Sequence, residues 1–232
     1  MPKTLVIIPC YNESENIIQL VEALIALGDN IDVLVVDDSS DNTADLVREK
    51  QKSESRLFLI KRQGKGGRGT AVLEGFKYGL GKDYDRIVEM DADFSHDPKE
   101  LPKLIAMGGD DVLVIGSRYI KGSKIVGWPI QRKLFSAFAN FYANIVLGLG
   151  IHDYTNGYRV YGRKALQKLD MGKIRQKGYI VLSEISYQLF KKGVKIIEVP
   201  TVFVNRKRGG SNFSLKEIKE AFTSVIKIRY NV

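Results

Sequence analysis

The chain has 232 residues, of which 44% are hydrophobic and 27% are charged, and its formal net charge at pH 7 is +9. This length is enough for one sizeable α/β core, so we expect a single domain over residues 1–232. The one cysteine, Cys10, excludes an internal disulfide and favours a reducing compartment, which makes the cytoplasm the expected location. The apolar run near the N-terminus is too short for a secretory signal peptide and matches a buried strand.

The charge is divided unevenly along the chain. Residues 1–118 carry 15 Lys and Arg against 21 Asp and Glu, a net charge of −6, whereas residues 119–232 carry 21 against 6, a net charge of +15. An acidic half suits a metal or a hydroxyl-rich ligand, and a basic half suits phosphate groups on a nucleic acid, a lipid or a membrane surface. A nucleic-acid partner is disfavoured, because the basic residues are scattered among apolar helices and no reader motif is present.

Short apolar runs alternate with helical patterns through the first half of the chain. The expected strands cover residues 4–9, 31–38, 56–61, 86–91 and 111–117, and the expected helices cover residues 14–27, 43–50, 69–80 and 98–107. Strands that are apolar on both faces and separated by helices predict a mostly parallel sheet flanked by helices, which is a Rossmann-like α/β fold. Ligands of such sheets bind beyond the carboxyl ends of the strands, so the residues after each run are candidates for chemistry.

The second half contains two amphipathic segments. Residues 134–151 carry no charge, but Ser136, Asn140 and Asn144 recur every four residues and form one polar stripe on a helix. The segment is somewhat short for a membrane span, and two alternatives remain open: a helix that lies in a membrane interface, or a helix buried in the core. Residues 215–230 predict a second amphipathic helix, which is rich in lysine.

Two aspartates, Asp91 and Asp93, directly follow the fourth apolar run. Residues two apart at a strand end point to the same side, so their carboxylates can converge on one Mg²⁺ or Mn²⁺ ion. The alternative is that they cap the following helix, but Asp97 and Pro98 already supply a cap and a first helical residue. We therefore predict a metal site at Asp91 and Asp93 whose remaining positions bind a diphosphate.

Acidic residues also follow the first two runs. Asp37 ends the second strand and Glu13 follows the first, and either can accept hydrogen bonds from a base or a ribose. Asp41 or Asn42 is expected to cap the next helix instead.

The segment GKGGRG, residues 64–69, matches the Gly-x-Gly-x-x-Gly pattern of dinucleotide sites. That function is disfavoured because the segment follows the third strand rather than the first, and because Lys65 and Arg68 interrupt it. We expect the loop to present its backbone and Lys65 near a nucleotide, with glycines that allow a close approach.

Seven segments between residues 6 and 214 together resemble one family, the dolichyl-phosphate (polyprenyl-phosphate) mannosyltransferases, which are inverting family-two glycosyltransferases of the GT-A nucleotide-diphospho-sugar transferase fold. In chain order the segments are IIPCYNE, VVDDSSDNT, GKGGRGTAVLEGF, EMDADFSHDPKELPKL, GSRYIKG, DYTNGYRVYGRKAL and EVPTVFVNRKRGGSN. Several segments in order are far more specific than any one of them, and the match covers nearly the whole chain.

The resemblance implies the transfer of mannose from GDP-mannose to a polyprenyl or dolichyl phosphate, with inversion and with Mg²⁺ or Mn²⁺ as cofactor. It assigns the metal and the donor diphosphate to Asp91 and Asp93, and it places Glu184 near the sugar. The other expected contacts of the nucleotide sugar are Pro9, Tyr11, Glu13, Asp37, Lys65 and Ala92. Arg118 and Arg132 would act in catalysis, and the acceptor phosphate would contact Arg118, Arg132, Arg206 and Ser211.

On this hypothesis residues 1–118 bind the nucleotide sugar and residues 119–232 bind the acceptor and face the membrane. Attachment would depend on the amphipathic helices or on a membrane-anchoring partner subunit, so we expect a peripheral protein on the cytoplasmic face of a membrane. The sequence departs from the family at Asn212, where a lysine is usual. Either Lys207 or Arg208 compensates, or the loop is held differently.

Three other functions remain possible at this point. The nearest is the same fold transferring glucose or N-acetylglucosamine from a UDP-sugar to a polyprenyl phosphate. A nucleotidyltransferase would also use paired aspartates but would release pyrophosphate, and a nucleic-acid-binding protein would use the basic half.

Overall fold

A computed structural model describes residues 2–64, 66–176, 178–205 and 215–231, and it gives only the backbone of residues 215–221 and 231. The strands are β1 (Thr4–Cys10), β2 (Ile31–Asp37), β3 (Leu57–Lys61), β4 (Arg86–Glu89), β5 (Val112–Ser117), β6 (Lys124–Val126), β7 (Arg159–Gly162), β8 (Lys195–Pro200) and β9 (Val202–Val204). The α-helices are α1 (Ile17–Ile25), α2 (Thr43–Gln51), α3 (Arg68–Leu80), α4 (Leu101–Met107), α5 (Ile130–Leu147), α6 (Arg163–Gln167), α7 (Val181–Lys191) and α8 (Leu215–Asn231). Single 3₁₀ turns occur at Pro98–Glu100, Met171–Lys173 and Gly178–Ile180.

Seven strands form one sheet in the order β3-β2-β1-β4-β7-β5-β8. Neighbouring strands are parallel except that β7 runs antiparallel to both β4 and β5. Strands β6 and β9 form a separate parallel pair. The mostly parallel sheet flanked by helices that the sequence predicts is therefore confirmed.

The five strands predicted in the first half are confirmed, each within two residues at either end. The predicted cap is also confirmed, because the Asp97 carboxylate accepts the N–H of Lys99 at 2.9 Å. Strand β7 is absent from the predicted elements. It has only four residues, too few to show an alternating pattern, and it enters the sheet between two strands that precede it by a long stretch of chain.

Both faces of the sheet are covered, which explains why the strands read as apolar runs without alternation. Leu5 and Ile7 of β1 belong to the core that α3, α5 and α7 cover. Val6 and Ile8 point to the other face and belong to the core that α1, α2 and α4 cover.

Helix α5 turns its polar stripe inward and its apolar stripe outward. Asn140 is buried and accepts the N–H of Tyr154 at 2.7 Å, Asn144 accepts the Tyr154 hydroxyl at 3.0 Å, and Ser136 accepts the Tyr119 hydroxyl at 2.6 Å. The outer face carries five apolar side chains, each at least 57% exposed: Ile130, Leu134, Phe138, Phe141 and Ile145. The alternative of a helix buried in the core is therefore wrong.

The helix also begins four residues earlier than predicted and ends at Leu147, where Gly148 takes a left-handed φ of 70°. Within the described residues, no helix combines the length and the hydropathy needed to cross a bilayer.

Strand β7 is tied to its surroundings by one fully buried arginine, Arg159. Four hydrogen bonds of 2.8 Å run from its guanidinium to the carbonyls of Tyr154, Asn156 and Leu182 and to the Ser186 hydroxyl. One side chain thus joins β7, the turn before it and α7.

We predict that Arg159→Met lowers the free energy of unfolding by about 3 kcal/mol, because several buried carbonyls lose their donor at once. Urea denaturation at pH 7 measures this change. Arg48→Met is the matched control, because the Arg48 side chain is 53% exposed and should change stability by no more than about 0.5 kcal/mol. A loss below about 1 kcal/mol for Arg159→Met would contradict the anchoring role.

Candidate functional site

A cleft opens at the carboxyl ends of β1 and β4, the edge at which α/β sheets bind ligands. Its lining residues are Pro9, Cys10, Tyr11, Glu13, Asp38, Gly67, Arg68, Ala71, Asp91, Ala92, Asp93 and Tyr179. The cleft therefore brings together most of the residues predicted for the nucleotide sugar: Pro9, Tyr11, Glu13, Asp91, Ala92 and Asp93.

Arg68, the first residue of α3, binds two carboxylates at this cleft. Its Nε and Nη2 atoms donate to Oδ1 of Asp91 at 2.9 and 2.8 Å, and its Nη1 atom donates to Oε1 of Glu89 at 2.5 Å. The ring of Tyr179 covers the guanidinium, with its centroid 5.1 Å from Cζ. Gly157 leaves room for the arginine, because a Cβ atom there would lie 2.1 Å from Nη2.

The two charges at Asp91 and Arg68 support each other electrostatically. Burial opposes ionisation of Asp91, but the Arg68 guanidinium and weaker contributions from other nearby basic groups together outweigh burial and lower the pKa of the carboxyl. Burial likewise opposes the charge on Arg68, but Asp91 and Glu89 raise its pKa. Both groups are therefore ionised at neutral pH.

Asp93 lies at a turn with a strained backbone. Its Oδ1 atom accepts hydrogen bonds from the Ser95 N–H at 3.0 Å and from the Ser95 hydroxyl. Phe94, between them, has a φ of 57°, in the left-handed region that a bulky side chain rarely adopts. Strain of this kind is typical of loops that position functional groups.

His96 is fully buried next to this turn. Its Nδ1 atom accepts the N–H of Asp91 at 3.3 Å, so the proton lies on Nε2, which donates to Oδ1 of Asn156 at 2.9 Å. The imidazole stacks on Tyr158, with ring centroids 4.9 Å apart. These contacts fix the backbone of Asp91 relative to the sheet.

Asp91 and Asp93 each keep one carboxylate oxygen, Oδ2, that has no hydrogen-bond partner among the described residues. Two such oxygens fit Mg²⁺ or Mn²⁺, provided that water and a diphosphate supply the other ligands. In the part of the chain that the structure describes, no group of three or more His, Cys, Asp or Glu side chains could hold a metal. The residues therefore fit a metal that is bound together with a substrate.

Asp37 does not line the cleft, although its neighbour Asp38 does. Asp37 is fully buried and accepts a hydrogen bond from Nζ of Lys61 at 2.7 Å. Asp38 accepts one from Nε of Arg62 at 2.6 Å and one from the N–H of Gly66 at 3.0 Å, so it holds the glycine-rich loop against β2. Contact of Asp37 with a base or ribose stays a prediction.

The two arginines predicted for the acceptor pack against one indole ring, that of Trp128. The Cζ atoms of Arg118 and Arg132 lie 5.5 and 4.0 Å from the Trp128 centroid. Nη1 of Arg132 also donates to Oδ1 of Asn205 at 3.2 Å. Cation–π contacts at these distances hold both guanidinium groups in one region.

Arg118 is bound by a buried carboxylate. Its Nε and Nη2 atoms each donate to Asp153 at 2.8 Å, and Nη2 also donates to the Thr155 hydroxyl at 2.8 Å. Burial opposes ionisation of Asp153, but Arg118 outweighs it and lowers the pKa of the carboxyl. The pair therefore has little net charge, because the Asp153 carboxylate neutralises the Arg118 guanidinium.

Other predicted residues lie elsewhere. Glu184, on α7, is buried and accepts the N–H groups of Arg175 and Gln176 at 3.1 and 2.8 Å, so its contact with a sugar stays a prediction. Six residues named in the sequence analysis lie outside the described part of the chain: Lys65, Arg206, Lys207, Arg208, Ser211 and Asn212.

Comparison with known proteins identifies the family of the chain. A family model described as "Glycosyl transferase family 2" matches residues 5–170. The chain belongs to this family. The polyprenol monophosphomannose synthase of Mycolicibacterium smegmatis is 41% identical over 226 residues, which cover 96% of this chain and 85% of that protein. The undecaprenyl-phosphate mannosyltransferase of Micrococcus luteus is 39% identical over 226 residues, which cover 97% of this chain and 93% of that protein.

Solved structures support the fold. Glucosyl-3-phosphoglycerate synthase from Mycobacterium tuberculosis, in complex with Mn²⁺, UDP and glucosyl-3-phosphoglycerate, has a TM-score of 0.66 and 20% sequence identity. The similarity covers 98% of this chain and 78% of that chain. At this identity the likeness concerns the fold alone, and the fold predicted from the sequence is confirmed.

Several residues at these sites were not predicted to act there: Asp38, Arg68, Trp128 and Tyr179. A signal existed for Arg68, since glycines let a loop pack closely against the sheet, and a charged side chain that is buried there needs a partner. A signal also existed for Trp128, because this residue is the only tryptophan and lies four residues before Arg132, close enough for its ring to contact the guanidinium. Tyr179 had none, because its position over Arg68 depends on tertiary packing.

We predict that Asp153→Asn lowers the free energy of unfolding by about 3 kcal/mol at pH 7, because Arg118 is left buried without its counter-ion. The folded-state pKa of Asp153 is depressed, so its contribution is complete above the unfolded pKa of about 3.9 and is lost as the pH falls through the folded value. The difference between wild type and variant should therefore be constant from pH 8 to about pH 5 and shrink below about pH 4.

Urea denaturation at several pH values tests this prediction. Asp45→Asn serves as the control, because the Asp45 and Arg48 side chains form an ion pair but are 76% and 53% exposed. A difference for Asp153→Asn that is as large in acid as at neutral pH would contradict the ion-pair origin of the effect.

Proposed function

We propose that the protein transfers mannose from GDP-mannose to a polyprenyl phosphate, with inversion, to form a lipid-phosphate mannose. The observation that carries this proposal is that two relatives, named a polyprenol monophosphomannose synthase and an undecaprenyl-phosphate mannosyltransferase, each match more than 95% of the chain. The cleft at β1 and β4 and the arginines at Trp128 supply the two kinds of site that such a reaction needs.

The donor cleft suits a nucleotide diphosphate sugar that arrives with a divalent cation. Asp91 and Asp93 would hold Mg²⁺ or Mn²⁺ through their Oδ2 atoms, and the metal would neutralise the charge of the departing diphosphate. Pro9, Tyr11 and Glu13, which line the cleft at and just beyond the end of β1, would hold the nucleoside. The fold neighbour from M. tuberculosis was solved with Mn²⁺ and UDP, which is compatible with this arrangement.

The surroundings of Arg118 favour an acceptor that needs no general base. Both oxygens of Asp153 already accept from Arg118, and Oδ1 also accepts the N–H groups of Thr155 and Asn156 at 3.3 and 3.0 Å. A carboxylate engaged in this way, with a lowered pKa, does not remove a proton from an alcohol. A lipid monophosphate has no proton to remove, because its second pKa is about 6.

In the reaction, an oxygen of the acceptor phosphate forms a bond to the anomeric carbon as the bond from that carbon to the GDP oxygen breaks. Displacement from the opposite face through an oxocarbenium-like state turns an α-linked donor into a β-linked product. Arg132, which stacks on Trp128 and donates a hydrogen bond to Asn205, is proposed to hold the acceptor phosphate, because a guanidinium fixed in this way can present its N–H groups to phosphate oxygens. Arg206 and Ser211 are proposed to complete this phosphate site.

The exposed apolar stripe of α5 fits contact with a membrane surface. Residues 130–145 present five large apolar side chains on one face, and the polar stripe that would oppose insertion points into the protein. Such a helix lies in a membrane interface instead of crossing the bilayer. We therefore propose peripheral attachment through α5 on the cytoplasmic face, with a partner subunit as a second possible anchor.

The decisive experiment incubates the protein with labelled GDP-mannose, a short polyprenyl phosphate and Mg²⁺ or Mn²⁺, and measures the label in the organic phase. Label that enters the organic phase only when polyprenyl phosphate is present supports the proposal. Parallel reactions with UDP-glucose and UDP-N-acetylglucosamine identify the donor. Transfer from a UDP-sugar and not from GDP-mannose would contradict the donor that we propose.

We predict that Asp93→Asn lowers sugar transfer by at least about 100-fold, because stabilisation of the leaving diphosphate loses one charge that is worth several kcal/mol. Initial rates at saturating metal measure the effect. Asp97→Asn is the matched control, because Asp97 caps the next turn, does not line the cleft and is replaced by another good capping residue. Near-normal transfer by Asp93→Asn would remove this residue from the site.

We also predict that Phe138→Ser combined with Phe141→Ser lowers association with anionic phosphatidylglycerol vesicles by about ten-fold or more, because burial of two aromatic rings is lost. Vesicle co-sedimentation measures this, and GDP affinity should stay the same. Phe190→Ser is the control, since Phe190 is 42% exposed but lies on α7. Equal losses of vesicle and GDP binding, with a lower Tm, would contradict a membrane role for the stripe.

A further inference from the structure

Arg68 places a permanent cation on one of the two predicted metal ligands. It contacts Oδ1 of Asp91 through two nitrogens and Glu89 through the third, and its side chain is 12% exposed. The Oε2 atom of Glu89 accepts the hydroxyl of Tyr161 at 3.1 Å, so the second carboxylate is also engaged. The predicted metal site is therefore already partly neutralised by the protein itself.

This arrangement is built into the fold and is not a chance surface contact. The Tyr179 ring covers the guanidinium on one side, and Gly157 lacks the Cβ atom that would collide with Nη2. The Glu89 side chain is fully buried at the end of β4, so movement of Arg68 away from it would leave a buried carboxylate without a counter-ion. The guanidinium is consequently held at Asp91.

A divalent cation that binds Oδ2 of Asp91 in the empty cleft lies close to this guanidinium, because Arg68 contacts Oδ1 of the same carboxylate. Repulsion between the two cations offsets much of the attraction from Asp91 and Asp93. A nucleotide diphosphate changes the balance, because it brings its own negative charge and oxygen ligands to the same place.

We propose that Arg68 suppresses metal binding to the empty donor cleft, so that the metal is bound together with the diphosphate of the nucleotide sugar. The proposal rests on the metal site of the proposed function and adds the order in which that site is filled. Arg68 acts here as a positioning residue that sets how much charge Asp91 offers to the metal.

The test measures Mn²⁺ affinity of the purified protein by electron paramagnetic resonance, with and without GDP and with no sugar or lipid present. Wild type should bind Mn²⁺ weakly alone and at least about ten-fold more tightly with GDP. Arg68→Gln removes the cation and should bind Mn²⁺ alone at least about ten-fold more tightly than wild type, with a smaller gain on addition of GDP.

Three further variants separate this effect from changes in folding. Arg68→Lys loses the forked contact with Asp91 and Glu89 but keeps the positive charge, so its Mn²⁺ affinity should stay within about three-fold of wild type. Arg68→Gln combined with Glu89→Gln removes the buried pair as a unit and leaves the net charge unchanged, so a stable variant is expected even if Arg68→Gln alone unfolds. Because Arg68 and not Glu89 contacts Asp91, this variant should bind Mn²⁺ more tightly than wild type, but with a smaller gain than Arg68→Gln. Arg48→Gln removes the same charge at a remote exposed site and should leave Mn²⁺ affinity unchanged.

Unchanged or weaker Mn²⁺ binding by both Arg68→Gln and the double variant would overturn the proposal. Tight Mn²⁺ binding by wild type without GDP would also overturn it. These outcomes are independent of which sugar and lipid react, because neither is present. A protein that transfers mannose yet shows either outcome would disprove the filling order and leave the proposed function intact.

Discussion

A carboxylate at the end of a buried strand is tolerable only when a cation faces it, and the candidate site is organised by this constraint. Four aspartates at the edge of the sheet where the parallel strands end have such a partner, at N–O distances between 2.5 and 2.8 Å: Asp37 with Lys61, Asp38 with Arg62, Asp91 with Arg68 and Asp153 with Arg118. Removing one member of a buried pair leaves an uncompensated charge, so each pair holds the segment that carries its cation against the sheet. The loops around the cleft are therefore fixed by charge as much as by apolar packing.

The glycine-rich segment between β3 and α3 shows what this constraint does to a familiar motif. Its pattern matches that of a dinucleotide loop, but Arg62 before it and Arg68 within it bind carboxylates that follow β2 and β4, those of Asp38 and Asp91. The glycines let the backbone approach Asp38, which accepts N–H groups of Gly66 and Gly67 at 3.0 and 3.2 Å. The loop thus neutralises the acidic strand ends, and its first helical residue reaches the donor cleft.

The sequence predicts those parts of the molecule that depend on local pattern. The five strands of the first half and the pair Asp91 and Asp93 are visible because buried parallel strands are apolar and because chemistry follows their carboxyl ends. The ion pairs could not be predicted, since their members are 23 or more residues apart and the pairing depends on how the loops fold back. Strand β7 was missed for a similar reason, because its place between β4 and β5 is set by tertiary contacts.

The second half shows that periodicity identifies two faces of a helix without telling which one is turned inward. In α5 the polar stripe faces inward because Asn140 and Asn144 accept hydrogen bonds from the N–H and the hydroxyl of Tyr154, in the turn before β7. The sequence of the helix alone does not reveal this partner. The apolar stripe is then left outside. Local partners likewise limit what the basic charge of the second half can explain. Arg118 is neutralised by Asp153, and Arg159 donates its hydrogen bonds to buried backbone carbonyls, so neither is available to bind a phosphate as a free cation. On the proposed function, recognition of the acceptor phosphate would therefore depend on individual cations held in position, such as Arg132 on Trp128, whereas the summed charge would mainly favour approach to an anionic surface.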